Sequence, residues 1–586
     1  MAGLSRRGFL ASVAALSAAW QLDPLELGQA LAQQATPSTA LSTLHQTILQ
    51  GPVAQGRYRT LVAGPGEPYL PRLDVLRRAP DADRARARRS LLYLGHLSDM
   101  HVIDAQSPGR IEPMIVQDHS AWASAFHPQD PLTVHVLAAM TQALTDLRFS
   151  PLTGAPMGAA MVTGDSADMH SHHELRWYID VLDGRPVTPD SGRPGVYEGL
   201  QAWSDAVWAY RPEDPAGGGF GDYGFPRMPG LLDRAIAGPV QPVGLPAPWY
   251  AVYGNHDTLL LGTFGISPQF RTMATGDRKA LAWEALAADV LGGYAATASP
   301  LQRLVGALDQ RFGLTPGFRT VTADSRRRIF EQQEFMAAHF DTASNPGPVG
   351  HGFTRANLDS GETWWSADVT PQVRVFGLDT CNQVAGPDGA VPDTQFRWLR
   401  AQLEQTTDRL VLVLSHHNSL TLENRALRPG ATEVLHGAEE FVDLLLDFPN
   451  VVAWLNGHTH LNQILAHTRG DRGFWEITTA SCIDFPQQQQ VVELVDNRDG
   501  TMSIFTTVVD HASPLAAGPG GSLADLAGTS RELAANDWIE DPFMRRGSPL
   551  DRNTELLLPA PFDLATITDA ALEAQANTDL ARMVAR

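Results

Sequence analysis

The chain has one lysine, Lys279, among 586 residues, so arginine carries nearly all of its positive charge. This scarcity disfavours Schiff-base chemistry, which needs a lysine amine. Acidic residues also outnumber basic ones, 65 against 44, and the formal net charge is −21. Such a surface repels nucleic acid and anionic lipid, so a phosphate-bearing ligand would need a local positive centre.

Cysteine is almost as scarce. Cys381 and Cys482 are too few for a disulfide framework or a cysteine-rich zinc site. Each follows an apolar, strand-like run, and the sequence leaves open whether they form one bridge or stay two buried thiols. Hydrophobic residues make up 43% of the chain and charged residues 19%, which is typical of a soluble globular protein with a large core.

No apolar run in the chain is long enough for a stable membrane anchor. The longest, of about 13 residues, follows Arg6 and Arg7, and about 20 residues are needed to cross a bilayer. An Ala-Leu-Ala triplet at 30–32 then fits a cleavage site. These three parts resemble a twin-arginine export signal. We therefore expect a signal at residues 1–32, recognition by the twin-arginine export machinery, and a periplasmic or extracellular mature protein without a membrane span.

Five apolar segments each end at a short polar cluster. The predicted strands are 91–97, 158–163, 249–253, 410–414 and 451–456. The polar residues that follow them are, in order, Asp99 and His101; Asp165 and Asp168; Asn255, His256 and Asp257; His416 and His417; and His458 and His460. Apolar strands that alternate with helical patterns predict a parallel or mixed sheet covered by helices, with the functional crevice at the carboxyl ends of the strands. We expect the five clusters to converge there.

The last cluster gives the clearest sign of a metal site. In an extended segment His458 and His460 project to one side while Thr459 faces away. Two histidines aimed at one point at a strand end are typical of metal ligation. A pair of solvated loop histidines would give the same pattern, so this stretch alone leaves both interpretations open.

Taken in order, these clusters resemble the signature set of the calcineurin-like metallophosphoesterases. The matching segments are Asp99-x-His101, Gly164-Asp165-x-x-Asp168, Gly254-Asn255-His256-Asp257, His416 and Gly457-His458-x-His460. The resemblance implies an α/β fold in four layers, a central β-sandwich of mixed sheets flanked by helices. Asp168 stands where purple acid phosphatases carry a tyrosine, and Met169 where protein phosphatases carry an arginine. The chain therefore looks most like the exported, phosphodiesterase-like bacterial branch.

The resemblance also implies a role for each residue. Two metal ions would share Asp165, with the other ligands divided into two sets: Asp99, His101 and His460 for one ion, and Asn255, His416 and His458 for the other. His256 would face the leaving-group oxygen, Asp257 could orient it or be solvated, and Asp168 would steady the ligands. His417 would lie behind the site or in the core.

Mixed Asp, Asn and His ligands suit Mn, Fe, Zn or Co. Two divalent ions would supply the positive centre that an acidic protein needs for a phosphate ester. We therefore expect an exported phosphoesterase that hydrolyses a small phosphodiester or phosphomonoester through attack of a metal-bridging hydroxide. A nucleotidase or phospholipid-type hydrolase, or a non-catalytic metal-bearing surface protein, would have the same motifs.

The same pattern divides the chain into an N-terminal arm (33–90), a catalytic domain (91–510) and a C-terminal tail packing on it (511–586). Insertions are expected at about 102–157, 169–247 and 258–365. Helices are predicted at 132–147, 280–291, 325–340, 394–403 and 438–446. Arg110, residues 326–328 and the histidines at 170, 172 and 173 are expected to be solvated, although the histidines could line the substrate mouth and an exposed arginine near the cleft could bind a second phosphate. His351 is a weak candidate for reaching the site.

Overall fold

The structure, a computed structural model, describes residues 42–116, 122–282, 317–342, 346–538 and 542–585. Its strands are β1 (Gln46–Gln55), β2 (Tyr58–Pro65), β3 (Leu70–Arg72), β4 (Arg89–Leu97), β5 (Ala159–Val162), β6 (Trp249–Ala251), β7 (Arg278–Ala280), β8 (Phe318–Thr320), β9 (Trp365–Thr370), β10 (Val373–Gly377), β11 (Val391–Pro392), β12 (Leu410–Leu414), β13 (Leu435–His436), β14 (Val451–Asn456), β15 (Gln463–Arg469), β16 (Arg472–Thr478), β17 (Gln488–Asp496), β18 (Thr501–Asp510) and β19 (Thr554–Pro559).

The helices among these residues lie mostly between the strands. They are α1 (Arg84–Ala87), α2 (Thr133–Asp146), α3 (His172–Leu182), α4 (Gly219–Tyr223), α5 (Leu231–Ile236), α6 (Pro268–Thr275), α7 (Gln332–Ala338), α8 (Arg355–Ser360), α9 (Asp393–Gln405), α10 (Ala438–Leu446), α11 (Leu523–Ala534) and α12 (Asp569–Val584). The predicted signal at 1–32 lies outside the described residues, as does the predicted helix 280–291 from residue 283 onward.

Two large mixed sheets organise the described chain. One has the strand order β3-β19-β18-β17-β4-β5-β6 and the other β15-β16-β14-β12-β10-β9. Strands β4, β5 and β6 run parallel in the first sheet, and β10, β12, β14 and β16 run parallel in the second. The predicted α/β class, with mixed sheets flanked by helices, is confirmed.

Strand β12 shows why these segments read as continuous apolar runs. Leu410, Leu412 and Leu414 belong to a hydrophobic cluster that also contains side chains of the other sheet. Val411 and Val413 point to the opposite face, where they pack with side chains of α9 and α10. Because successive side chains of a strand face opposite ways, a strand covered on both sides needs an apolar residue at every position. Both faces of the sheet are thus buried.

Parallel pairing brings the polar clusters to one edge of each sheet. Leu97 is the register partner of Val162, and Val162 that of Ala251, so β4, β5 and β6 end together. Leu414 pairs with Leu455 in the same way in the other sheet. The segments after these strand ends therefore start close together, as the sequence predicts.

Several predicted elements differ in extent. The helices predicted at 132–147, 394–403 and 438–446 are present as α2, α9 and α10. The helix predicted at 325–340 is a short 3-10 turn, Ser325–Arg327, followed by the separate α7.

The segment 511–586 is more than a tail on the domain surface. Strand β19, almost wholly buried, lies between β3 and β18 within the first sheet, and β3 comes from the N-terminal arm. Most residues of α11 are also buried. Both ends of the described chain therefore help to build the core.

Among the described residues no helix combines the length and apolar character needed to cross a membrane.

Candidate metal centre

The predicted site residues come together at the shared edge of the two sheets. Asp99, His101, Asp165, His458 and His460 all have positive φ angles, of 52°, 42°, 51°, 71° and 56°. Such left-handed backbone is uncommon for residues other than glycine, and it concentrates at sites where the surrounding structure enforces it. Each residue lies two to four residues beyond the end of a buried strand, where a sharp change of chain direction turns its side chain into the site.

Glycine is required at two of these turns because the loops approach one another closely. A Cβ atom on Gly457 would collide with the side chains of Ser98 and Asp99, and one on Gly254 would collide with the backbone and carboxylate of Asp165. The glycines of the sequence motifs thus allow one site loop to pack on the next.

Four of the side chains form what we call the first cluster. It consists of Asp99, His101, Asp165 and His460, whose ligand atoms lie within 4.8 Å of one another. The Nε2 atoms of His101 and His460 are 3.1 Å apart, and His460 Nε2 lies 3.2 Å from Asp99 Oδ1. Asp165 Oδ2 completes the group at 3.5 Å from His101 Nε2.

Asn255, His416 and His458 form the second cluster. His416 Nε2 lies 2.7 Å from Asn255 Oδ1, and His458 Nδ1 lies 3.1 Å from the same oxygen. The two imidazole nitrogens are 3.2 Å apart. Asp165 Oδ2 is 3.2 Å from His416 Nε2, so this one oxygen atom adjoins both clusters.

The hydrogen bonds behind the rings determine what the histidines offer. Nδ1 of His101 faces the Asp168 carboxylate at 3.0 Å, Nδ1 of His460 faces Asp484 at 2.6 Å, and Nδ1 of His416 faces the carbonyl of Thr163 at 2.8 Å. These oxygens can only accept, so in the neutral rings Nδ1 carries the proton and Nε2 presents a lone pair. Each Nε2 then points at another lone pair or at a carboxylate, which is unfavourable unless a cation lies between them.

The charges of the buried carboxylates and imidazoles also favour a cation in the site. Burial raises the pKa of Asp99, but His460 outweighs this effect and holds the pKa at about 2. Burial lowers the pKa of His416 and of His460, but Asp165 and Asp99, respectively, raise each to about 9. The buried carboxylates thus keep their charge and attract protons to the imidazoles in a site without another cation. Divalent ions would take the place of those protons, and the residues present fit a metal centre.

His256 lies beside the first cluster with a fixed ring. Its Nδ1 is 2.8 Å from the carbonyl oxygen of Asp168, to which it donates, and its backbone N–H donates to Asp165 Oδ1 at 2.8 Å. The ring packs edge-on against His101, with centroids 4.5 Å apart. The Nε2 atom is therefore left as the atom that can act on a substrate.

Asp257 is not placed to orient His256. It is fully buried, and its carboxylate accepts hydrogen bonds from the backbone N–H groups of Ser166, Ala167 and Gly254. Burial raises the pKa of this carboxyl to about 7. Asp257 thus joins the two loops that carry Asp165 and Asn255, and the sequence-based role for it does not fit this contact pattern.

Asp168 contacts the predicted ligand His101, and its other carboxylate oxygen pairs with a residue that the sequence analysis placed in solvent. Its Oδ1 accepts from His101 Nδ1, while its Oδ2 pairs with Arg110 Nη1 at 2.5 Å. Arg110 is fully buried and also donates to Asp130 Oδ2 at 2.9 Å. The expectation of a solvated Arg110 is wrong, because two buried carboxylates compensate its charge.

Of the two adjacent histidines, His416 belongs to the second cluster, with Nε2 3.2 Å from Asp165 Oδ2. His417 has an imidazole nitrogen close to the second cluster as well, but both of its ring nitrogens are engaged. Nδ1 lies 2.9 Å from the hydroxyl of Thr380, and Nε2 donates to the carbonyl of Pro387 at 2.8 Å. His417 therefore holds the loop behind the second cluster.

Two contacts behind His460 escaped the sequence reasoning. Asp484 accepts from His460 Nδ1 and pairs with Arg545 Nη1 at 2.9 Å. Asp484 follows strand β16 by a few residues, so a search for acids after every apolar strand would have included it. Arg545 lies in the 3-10 turn Pro542–Arg546, far beyond the last motif, and no sequence pattern marks it.

Other expected solvent-exposed residues are also buried. His170 and His173 are buried and His172 is half-buried, so the solvated-loop interpretation is wrong for the first two. Arg327 is fully buried against Asp104. His351 stacks on Trp249 with ring centroids 3.4 Å apart, away from both clusters.

Cys381 and Cys482 are free, buried thiols, which decides the alternative that the sequence left open.

The chain matches no protein-family model and no curated protein sequence.

Proposed function

We propose that the protein is a dinuclear metal-dependent phosphoesterase with the four-layer fold of the calcineurin-like metallophosphoesterases. The observation that carries the proposal is the position of Asp165 Oδ2, which adjoins both clusters at 3.5 and 3.2 Å. A single carboxylate oxygen between two groups of histidine and carboxylate or amide side chains is an arrangement that suits a pair of metal ions. The order of the motifs supports an enzyme of this kind, and the predicted twin-arginine signal supports its export.

The first cluster would hold one ion and the second cluster the other, with Asp165 shared. Ligands of this mixed type favour Mn, Fe, Zn or Co. When bound, such a pair supplies positive charge for a phosphoryl group and lowers the pKa of water. The chain's own residues fix where that charge lies, because the Nδ1 hydrogen bonds of His101, His416 and His460 aim all three Nε2 atoms inward.

His256 is suited to hold a proton for the leaving group. Burial lowers its pKa, but the carboxylates of Asp165 and Asp168 outweigh burial and raise it. With Nδ1 fixed on the Asp168 carbonyl, the proton that can move is the one on Nε2. A histidine in this position donates to a departing alkoxide and would contribute roughly 10²–10⁴-fold to the rate.

Hydrolysis assays on the mature chain test the proposal. Metal-stripped protein would be reloaded with Mn²⁺, Fe²⁺ or Zn²⁺ and offered bis-p-nitrophenyl phosphate and p-nitrophenyl phosphate. We expect metal-dependent release of p-nitrophenol. We expect Asp165→Asn to lose most of its bound metal and nearly all activity, since that variant removes the shared charge.

His172→Ala is the matched control, because that histidine is half-buried at the start of α3 and belongs to neither cluster. It should retain wild-type activity. Preference for one substrate would distinguish diesterase from monoesterase chemistry. Absence of turnover of both substrates by protein that carries two metal equivalents would instead favour a non-catalytic metal-binding protein.

A further inference from the structure

We infer that Arg110 and Arg545 are positioning residues for one metal site, each acting on a histidine ligand through a carboxylate. The inference rests on the metal centre proposed above and extends it beyond the motif residues. Two side-chain relays carry it: Arg110–Asp168–His101 and Arg545–Asp484–His460. Both relays end on imidazoles of the first cluster, and their Nε2 atoms face each other at 3.1 Å.

The relays have the same chemical order. Asp168 lies 3.0 Å from His101 Nδ1 and 2.5 Å from Arg110 Nη1. Asp484 lies 2.6 Å from His460 Nδ1 and 2.9 Å from Arg545 Nη1. A carboxylate behind a histidine ligand fixes the ring's orientation and tautomer only if the carboxylate itself is held. In each relay the arginine provides that support.

The relays are anchored in different parts of the chain. Arg110 is fully buried and is held from behind by Asp130 Oδ2 and by the carbonyl of Ala125. Arg545 belongs to the C-terminal segment, and its backbone carbonyl accepts from the N–H of Asn462, two residues after His460. The C-terminal segment therefore completes the first cluster, although the motifs end at residue 460.

The second cluster has a different kind of support. His416 Nδ1 donates to a backbone carbonyl, that of Thr163, instead of to a carboxylate, and His458 Nε2 lies 3.9 Å from Asp388 Oδ1, too far for a hydrogen bond. Loss of either arginine should therefore weaken one of two metal equivalents and leave the other unchanged. Mutation of groups that orient metal ligands typically lowers metal affinity by about 10- to 100-fold. We expect a loss of that size, confined to one equivalent.

Calorimetric titration of Mn²⁺ into the metal-stripped, full-length mature chain tests the inference. The key variant is Arg545→Met, because the Arg545 side chain is 19% exposed and its removal leaves Asp484 partly accessible to water. We expect one equivalent to bind about 10- to 100-fold more weakly, with partial recovery in Arg545→Lys. Arg110→Met should lower the Mn²⁺ affinity of the same equivalent. If that variant does not fold, the result for Arg545→Met alone tests the inference.

Matched controls come from arginines with similar burial and no link to a histidine ligand. Arg552 lies in the same C-terminal segment as Arg545 and pairs with Glu67. Arg327 is as buried as Arg110 but pairs with Asp104. Arg552→Met and Arg327→Met should bind both equivalents normally. If they lost metal equally, the relays would have no special role and the inference would be overturned.

The sign of the change is also decisive. An arginine that acted only as a nearby positive charge would repel the cation, so its removal would tighten binding. Unchanged or tighter Mn²⁺ binding by folded Arg545→Met therefore overturns the inference. The titration involves no turnover: a wild-type protein that binds two ions but hydrolyses nothing would end the proposed function alone. A wild-type protein that binds none of Mn²⁺, Fe²⁺ and Zn²⁺ would overturn both.

Discussion

Backbone conformation at His460 gives a quantitative test of how the site is built. His460 has a φ of 56°, a left-handed conformation that costs an L-residue roughly 1–2 kcal/mol and costs glycine almost nothing. Glycine elsewhere destabilises a regular element by roughly 0.5–1 kcal/mol relative to alanine. The two effects oppose each other at His460, so His460→Gly should be more stable than His460→Ala by about 0.5–1 kcal/mol. Both variants lose the same ring, and its contacts cancel in the comparison.

Urea unfolding of the metal-stripped variants in the presence of EDTA would measure this difference. His172, the first residue of α3, is the matched control because it is a histidine with helical backbone. There the order should reverse, with His172→Ala more stable than His172→Gly by up to about 1 kcal/mol. If alanine were favoured by the same margin at both positions, the left-handed turn at His460 would be refuted.

Two further predictions concern the site and the C-terminal helix. His256→Ala should keep both metal equivalents by metal analysis yet lose roughly 10²–10⁴-fold in turnover, since its Nδ1 is engaged with the Asp168 carbonyl; loss of metal would instead place His256 among the ligands. Burial raises the pKa of Asp579, in α12, to about 6. The Asp579 carboxyl ionises near pH 3.9 in the unfolded chain but only near pH 6 in the folded protein. As the pH rises from 4 to 7, the wild-type protein should therefore lose at most about 3 kcal/mol of stability relative to Asp579→Asn. If the free energy of unfolding changed equally with pH in the two proteins across that range, the raised pKa of Asp579 would be contradicted.

The strands that carry the site were predictable because burial on both faces leaves a continuous apolar signal. Leu410–Leu414 and Val451–Asn456 have the predicted bounds, and the polar clusters after them lie where parallel strands should bring them. Local sequence therefore specified both the elements and the edge at which they meet.

Charged residues that are buried in pairs could not be recognised in the same way. Arginine is rarely buried, so the sequence analysis assigned Arg110 and residues 326–328 to solvent. What buries Arg110 and Arg327 is compensation by Asp168 and Asp104, from segments that only the fold brings near. The roles of Asp484 and Arg545 are tertiary in the same sense, and no local periodicity marks them.

The division of ligands between the two sheets has a mechanical consequence. The loops after β4, β5 and β6 carry Asp99, His101, Asp165 and Asn255, whereas the loops after β12 and β14 carry His416, His458 and His460. Each cluster therefore contains ligands from both sheets.

The backbone N–H of His458 also donates to the Asp99 carboxylate, at 3.1 Å to Oδ1 and 3.0 Å to Oδ2. Because the sheets share one hydrophobic cluster between them, any shift of one sheet against the other would displace side chains of both clusters together. The packing of the core thus sets the geometry of the proposed metal centre, and metal bound there should in turn resist separation of the sheets.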